Sequence, residues 1–207
     1  MPSYTILSME DMELPDWSAV PAVSLKDCGW TPETPVRAKA QLCCDRTDLH
    51  VRLEAEEPAI RATYSGTLDP VHLDSCLEFF FAPRGDDQRY LNFEWNPLGA
   101  LDLGFGAGRA DRVRQIVQDP KGLFRPAPFS TDTGWGISFR IPLRFLRLYF
   151  PDYAFSGEAA GNFFKCGDET VQPHFLAWAK PTSREPDFHR RNDFGLLLFE
   201  EAAEKED

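Results

Sequence analysis

The alternation of polar and apolar side chains over residues 90–96 makes this segment the best candidate for a ligand-binding surface. Neighbouring side chains of a strand point to opposite faces, so one face would carry a phenol, two amides and a carboxylate. These groups donate and accept hydrogen bonds, which suits a ligand rich in hydroxyl groups. The same pattern is typical of the solvated outer face of a sheet, and the alternation leaves both interpretations open. The polar positions are Tyr90, Asn92, Glu94 and Asn96.

Glu78 lies in a neighbouring strand-like segment and could face Glu94, which raises the alternative of glycoside hydrolysis. That reaction needs two carboxyl groups on either side of the scissile bond. The chain has 33 aspartates and glutamates, so such a pair is expected by chance. Ser75 has no GxSxG context, and no histidine is placed to complete a triad. We therefore predict no catalytic residues and keep a hydrolase as an alternative.

Phe188 is the candidate for an aromatic surface on which a sugar ring stacks. It lies between Asp187 and His189 in a charged segment, and an aromatic residue flanked by charges is a poor candidate for the core. The C–H groups on the face of a pyranose ring pack against an aromatic ring, while its hydroxyls need polar partners. Trp178 could serve in the same way, although burial on an interior strand is the alternative. The predicted ligand-binding residues are Phe188, Glu78, Asn92, Glu94, Lys165, His189 and Trp178.

Short segments with a period of two residues predict the strands that position these side chains. Residues 48–55 place apolar side chains at every second position, and residues 135–141 do the same up to Pro142. The 17 prolines and 14 glycines leave little room for long helices, and one short helix is predicted at 143–148. Residues 118–134 are predicted to form a long loop or an irregular hairpin. Further strands are predicted at 37–44, 76–82, 88–96, 98–104, 171–178 and 194–199.

Many short strands separated by turn residues indicate an all-β fold. We predict an antiparallel two-sheet β-sandwich of the jelly-roll or immunoglobulin-like kind, with one short helix. The sandwich is expected to be a single domain over residues 1–200. Residues 201–207 are predicted to form an acidic disordered tail, because a charged run cannot bury enough apolar surface to fold.

The charge of the chain excludes several classes of partner. Lysine and arginine total 22 against 33 acidic residues, a net charge of −11 at pH 7. Nucleic-acid binders place cations against phosphates, so neither nucleic acid nor an anionic membrane surface is an expected partner. No apolar run approaches the roughly 18–20 residues of a membrane helix. The oligomeric state is left open.

The cysteines predict a reduced, cytoplasmic protein. There are five and none forms a CxxC spacing, so buried free thiols are expected rather than disulfides. The first residues lack the basic and apolar regions of a signal peptide, in keeping with that location. A zinc site is not predicted, because the four histidines are scattered and none lies at ligand spacing from a cysteine pair. The cysteines are Cys28, Cys43, Cys44, Cys76 and Cys166.

Several stretches together resemble the family 9 carbohydrate-binding modules, within the wider group of DOMON-like β-sandwiches. The resemblance rests first on DSCLEFF at 74–80 and on residues 90–99, and it spans nearly the whole chain in the right order. It is to stand-alone bacterial proteins of this type rather than to modules attached to a xylanase. The other matching stretches are 16–17, 48–54, 135–142 and 162–195.

The resemblance implies non-catalytic binding of a sugar end or a short oligosaccharide between two aromatic side chains, with a glutamate nearby. Val71 stands at the position of the first aromatic residue, with His72 beside it. Phe188 matches the second, since it precedes Phe194 at the family's spacing. Glu78 matches the glutamate, although one extra residue follows the Asp-Ser turn. The departure at Val71 concerns sugar affinity more than the fold.

No cofactor is expected from the resemblance, but metal binding is left open. Some members of the group bind structural calcium through acidic loops. This chain has no ordered pattern of oxygen ligands like that of an EF-hand. A further alternative on the same fold is a module that binds a protein partner through its polar face or a sheet edge.

Overall fold

The computed structural model describes residues 1–9 and 15–200, so the tail predicted at 201–207 lies outside the described residues. The helices are α1 (Pro120–Phe124) and α2 (Leu143–Leu146), with one-turn 3-10 helices at Val71–Leu73 and Arg191–Asp193. The strands are β1 (Ser3–Ser8), β2 (Val23–Ser24), β3 (Lys26–Asp27), β4 (Arg37–Cys44), β5 (Asp48–Glu56), β6 (Cys76–Ala82), β7 (Tyr90–Trp95), β8 (Leu101–Gly106), β9 (Val113–Arg114), β10 (Ala127–Ser130), β11 (Gly134–Pro142), β12 (Glu158–Cys166), β13 (Phe175–Ala177) and β14 (Gly195–Phe199).

Strand β1 joins the two halves of the strand arrangement. Its residues 3–6 pair with β14 and its residues 7–8 with β4, and both pairings are parallel. The main path runs β10-β11-β5-β4-β1-β14-β12-β6-β7-β8-β9, with β2, β3 and β13 at its sides. The prediction of an all-β fold is confirmed. The antiparallel two-sheet sandwich is confirmed only in part, because β1 makes the sheet continuous and mixed.

The main hydrophobic core lies between the two halves. Phe93 and Trp95 of β7 meet Phe139 of β11, with ring centroids 5.9 and 5.3 Å apart. These side chains occupy the apolar positions of the two alternating patterns. Burying an apolar side chain of this size contributes about 1.5–3 kcal/mol, so burial sets which face of each strand points inward.

The opposite face of β6, β7 and β12 is also covered. Phe80, Tyr90 and Phe164 on these strands pack against Phe188 and Phe194 from the connection between β13 and β14. All four polar positions predicted on the outer face of β7 are therefore buried. The alternative of a solvated outer face is wrong, because loops cover this side of the sheet.

The local patterns predict some strands well and miss others. The predicted strands at 37–44 and 76–82 match β4 and β6 to the residue. Strands β1 and β12 were not predicted. In β12 the core-facing position Lys165 is a charged residue, which hides the alternation on which the prediction depends.

One short helix was predicted, but the described residues contain two short α-helices. Helix α2 ends at Leu146, earlier than the predicted 143–148. Helix α1 lies inside the stretch predicted as a loop or hairpin. Its signal is Asp119, whose carboxylate accepts a hydrogen bond from the Gly122 amide, followed by Pro120 in the first turn. That capping pair is typical of a helix start.

Across the described ranges, none of the helices has the length and apolar character that crossing a membrane requires.

Candidate functional site

A partly enclosed cavity of about 430 Å³ lies over the outer face of β6, β7 and β12. Its floor comes from these strands, and its walls come from the segment before β4, the β8–β9 connection and the loops that flank β13. Ligand sites in proteins are typically clefts of about 300–1,000 Å³. The lining residues are Trp30, His72, Glu78, Glu94, Arg109, Arg112, Cys166, Asp168, Phe175, Pro186, Asp187, Phe188 and His189.

Two glutamates form the floor of the cavity. Glu78 and Glu94 stand directly opposite each other on β6 and β7, and such cross-strand pairs have Cβ atoms about 4.5–5.5 Å apart. Asn92 donates a hydrogen bond of 2.9 Å to Glu94, and Arg112 lies 3.3 Å from the same oxygen. The strand register thus brings about the facing arrangement of Glu78 and Glu94 that the sequence had left as a possibility.

Burial changes the acidity of this glutamate pair. Removal from water raises the pKa of Glu78 to about 7. It also raises the pKa of Glu94 well above its usual value, with the nearby charges of Glu78 and Asp102 adding to the effect. Desolvation and like charges both disfavour the ionised form. The pair therefore retains a proton near neutral pH and can both donate and accept a hydrogen bond.

Aromatic rings form one wall of the cavity. Phe188 stacks on Phe164 with centroids 4.1 Å apart, and Trp30 lies 5.6 Å from Phe188. The side chain of Phe188 is only 8% exposed, so it is a packed part of this wall rather than the free platform that its charged neighbours suggested. Trp30 is more exposed and lines the same cavity.

Trp30 is the functional candidate that the sequence analysis missed. It lies in the segment CGWTPETP, where no alternation assigns it to a strand. Its indole N–H donates a hydrogen bond of 3.0 Å to the Ser183 carbonyl, which ties this segment to the loop that carries Phe188. The signal that could have identified it is the occurrence of a large aromatic residue in a segment otherwise made of turn residues.

His189 lines the cavity beside the aromatic wall. Its Nδ1 shares a hydrogen bond of 2.9 Å with the Tyr90 hydroxyl. Burial lowers the pKa of His189 to about 3, with the positive charges of Arg112 and Arg109 adding to the effect. The imidazole is therefore neutral over the physiological range and offers one donor and one acceptor nitrogen.

Lys165 and Trp178 do not reach the cavity. Lys165 points to the opposite face of the sheet from Glu78, where its ammonium lies 3.2 Å from Glu57. Trp178 packs in the main core, with its ring 5.6 Å from Phe163. The expectation that these two side chains contact the ligand is corrected: the alternation of β12 turns Lys165 inward, and Trp178, just after β13, packs into the main core.

Val71 and His72 are adjacent in the one-turn 3-10 helix, but their side chains point in different directions. Val71 is fully buried, whereas His72 lines the cavity. The turn that follows is anchored by Asp74, whose carboxylate accepts hydrogen bonds from the Thr63 and Tyr64 amides and pairs with Arg61. This anchor holds the loop before β6 at the edge of the cavity.

One group of potential metal ligands lies at the floor. Within the described part of the chain, Cys76, Glu78 and Cys166 have donor atoms within 4.8 Å of one another. Structural calcium, which the sequence left open, stays an open alternative.

The chain matches the family model of carbohydrate-binding family 9 over residues 8–199. Among solved structures, a candidate carbohydrate-binding protein from Bacteroides uniformis is 27% identical, with a TM-score of 0.82 and coverage of 96% of this chain and 99% of that one. A family 9 module from Caldicellulosiruptor kristjanssonii in complex with cellotriose is 13% identical, with a TM-score of 0.71 and coverage of 100% and 97%. The module from that organism in complex with glucose is also 13% identical, with a TM-score of 0.68 and full coverage of both chains. No curated protein matches the chain.

Proposed function

This chain belongs to carbohydrate-binding family 9, and from that premise we propose that it binds the end of a sugar chain in the cavity over β6, β7 and β12. Non-catalytic carbohydrate binding is the function of the family to which it belongs. The observation that supports the cavity as the site is the meeting of an aromatic wall and a buried glutamate pair in one space.

Each part of the cavity has a role in this proposal. Trp30 and Phe188 offer apolar surface to the C–H groups of a pyranose ring. Glu78 and Glu94 accept hydrogen bonds from sugar hydroxyls when ionised and donate when protonated. Neutral His189 has its Nδ1 paired with Tyr90 and offers its Nε2 to a sugar hydroxyl. The two solved family 9 complexes contain cellotriose and glucose, so β-linked glucose oligomers are the first ligands to test.

Trp30 takes the place of the aromatic residue that is missing at Val71. The family arrangement uses two aromatic side chains, and the valine position is buried here. Trp30 and Phe188 lie at a tilt of 39°, so they form one continuous wall rather than two parallel plates. We therefore expect weaker binding than in a module that sandwiches the sugar.

Replacing Trp30 with alanine is expected to weaken saccharide binding by roughly tenfold, because aromatic contacts contribute about 0.5–1.5 kcal/mol beyond area burial and about 1.4 kcal/mol corresponds to a factor of ten. Calorimetric titration with glucose and cellotriose measures the change. Trp17, which is also partly exposed but lies outside the cavity, provides the matched control Trp17→Ala.

Two results would contradict the proposal. One is an unchanged affinity in Trp30→Ala. The other is that the folded wild-type protein gives no binding heat with any saccharide tested. Reducing-end analysis of the same mixtures tests the hydrolase alternative, since the paired carboxyl groups of Glu78 and Glu94 share one face. We expect no cleavage.

A reducing, cytoplasmic location remains our prediction for this chain. Its support is that all five cysteines are free and buried. The net charge of −11 likewise supports the prediction that nucleic acid is not a partner.

A further inference from the structure

Two cysteines that are far apart in the sequence meet at the floor of the cavity. Cys76 at the start of β6 pairs directly with Cys166 at the end of β12. Glu78 lies two residues after Cys76 and so points to the same face. The antiparallel register therefore brings two thiols and a carboxyl group together.

The geometry of this cluster fits a small tetrahedral cation. Two thiolates on one zinc ion lie about 3.8 Å apart, given Zn–S bonds of about 2.3 Å. The three donor atoms here lie within 4.8 Å of one another, and the Cys166 Sγ is 3.1 Å from a Glu78 oxygen. Small side-chain rotations would bring all three within bonding distance of one ion.

The surroundings of the cluster also favour a cation. Cys76 is fully buried, Cys166 and Glu78 are 2% exposed, and the last two line the cavity. Asp168 lines the same cavity as Cys166, and Glu94 faces Glu78. This concentration of acidic groups is offset in part by Arg112. A bound cation would reduce the remaining repulsion.

We propose that Cys76, Cys166 and Glu78 bind a zinc ion, whose fourth position opens into the cavity for a water or ligand oxygen. Thiolate ligands select zinc over calcium, which prefers six to eight oxygen ligands. On binding, each thiol loses its proton to solvent and forms a sulfur–zinc bond, and Glu78 binds as a carboxylate. Zinc binding does not depend on the sugar.

The test uses the full chain after chelator treatment and in a phosphine reductant. Zinc chloride is titrated calorimetrically, and cadmium chloride reports ligation through the ultraviolet thiolate-to-cadmium charge-transfer band. We expect one equivalent to bind. Cys166→Ser and Cys76→Ser should weaken zinc binding more than about 100-fold, beyond the 10–100-fold typical of outer-shell partners.

Cys43→Ser is the matched control, because Cys43 is an equally buried thiol on β4. It should leave zinc affinity and the cadmium band unchanged. If the cluster variants do not fold, maleimide labelling of the wild-type protein gives an independent readout. Zinc should then protect Cys166, which lines the cavity.

Three results would overturn the zinc site. They are the absence of stoichiometric binding to the reduced protein, the same cadmium band in the Cys76 and Cys166 variants, and equal labelling of Cys166 with and without zinc. Saccharide titration of the zinc-free protein is independent of these readouts, so failure of the zinc site and failure of sugar binding are distinguishable.

Discussion

Replacing Lys165 with methionine is expected to lower the free energy of unfolding by about 3–5 kcal/mol, the usual cost of leaving a buried charge without its partner. The Lys165 side chain is fully buried. Its ammonium donates to the Glu57 carboxylate at 3.2 Å, to the Cys166 carbonyl at 2.7 Å and to the His174 imidazole at 2.7 Å.

The replacement leaves the buried carboxylate of Glu57 without its cationic partner. Its carboxylate also accepts hydrogen bonds of 2.8 Å from the Ser75 hydroxyl and the Trp135 indole, which hold it in place when the lysine is gone. The imidazole of His174 lies 3.6 Å from Glu57, but its burial, which is the largest cause of its lowered pKa, persists when the lysine is gone and disfavours the cationic form. The carboxylate is then left charged and without a cation in the interior.

Urea denaturation followed by tryptophan fluorescence measures the effect. The double variant Lys165→Met with Glu57→Gln removes both charges and should recover part of the loss. Lys39→Met removes an ion pair of 3.0 Å to Glu54 in which the lysine is 48% exposed, and such surface pairs contribute about 0–1 kcal/mol. Equal losses in Lys165→Met and Lys39→Met would show that the buried pair is not a structural requirement.

Acidification is expected to destabilise the protein through His189, by roughly 3 kcal/mol at about pH 4, given about 1.4 kcal/mol for each pKa unit. Burial lowers the pKa of His189 from 6.5 to about 3. Below pH 6.5 the unfolded chain binds a proton that the folded protein does not. The contribution of His189 to stability is therefore fully present above pH 6.5 and is lost progressively as the pH falls towards 3.

The groups around His189 explain why protonation is unfavourable. Arg112, Arg109 and His72 are the charged or titratable groups whose positive charge opposes a cationic imidazole. The Tyr90 hydroxyl shares the Nδ1 hydrogen bond, and the Asp187 carboxylate accepts from the His189 backbone amide at 3.1 Å. Desolvation is the largest contribution.

The variant His189→Asn isolates this effect, because an asparagine oxygen can still accept from Tyr90 but does not titrate. Unfolding free energies of both proteins are measured between about pH 4 and pH 7. The wild-type protein should lose more stability than the variant across this range. Parallel curves would refute the assignment, since other acid-sensitive groups affect both proteins equally.

Much of the site was predictable because its signals are local. Alternation in β7 placed Asn92 and Glu94 on one face of that strand, whereas the register of β6 against β7 decided that Glu78 faces Glu94. The resemblance to family 9 carbohydrate-binding modules is confirmed by the family match. The direction of a side chain within a strand needs no knowledge of distant residues.

Other features required contacts between distant parts of the chain. Trp30 meets Phe188 only because loops from the two ends of the sequence converge on one sheet face. The pairing of Cys76 with Cys166 depends on the register of β6 and β12. Neither contact leaves a periodic trace in the sequence.

The sequence by itself determined the all-β class, the inward and outward faces of several strands, and the kind of ligand that the chain binds. These follow from the two-residue period of a strand and from the family pattern. Only the tertiary structure decided that Phe188 is packed, that Lys165 is a buried ion-pair partner, and that β1 joins both halves in parallel. Burial and strand pairing depend on which segments meet in space, and the energies of those long-range contacts are not contained in any single segment.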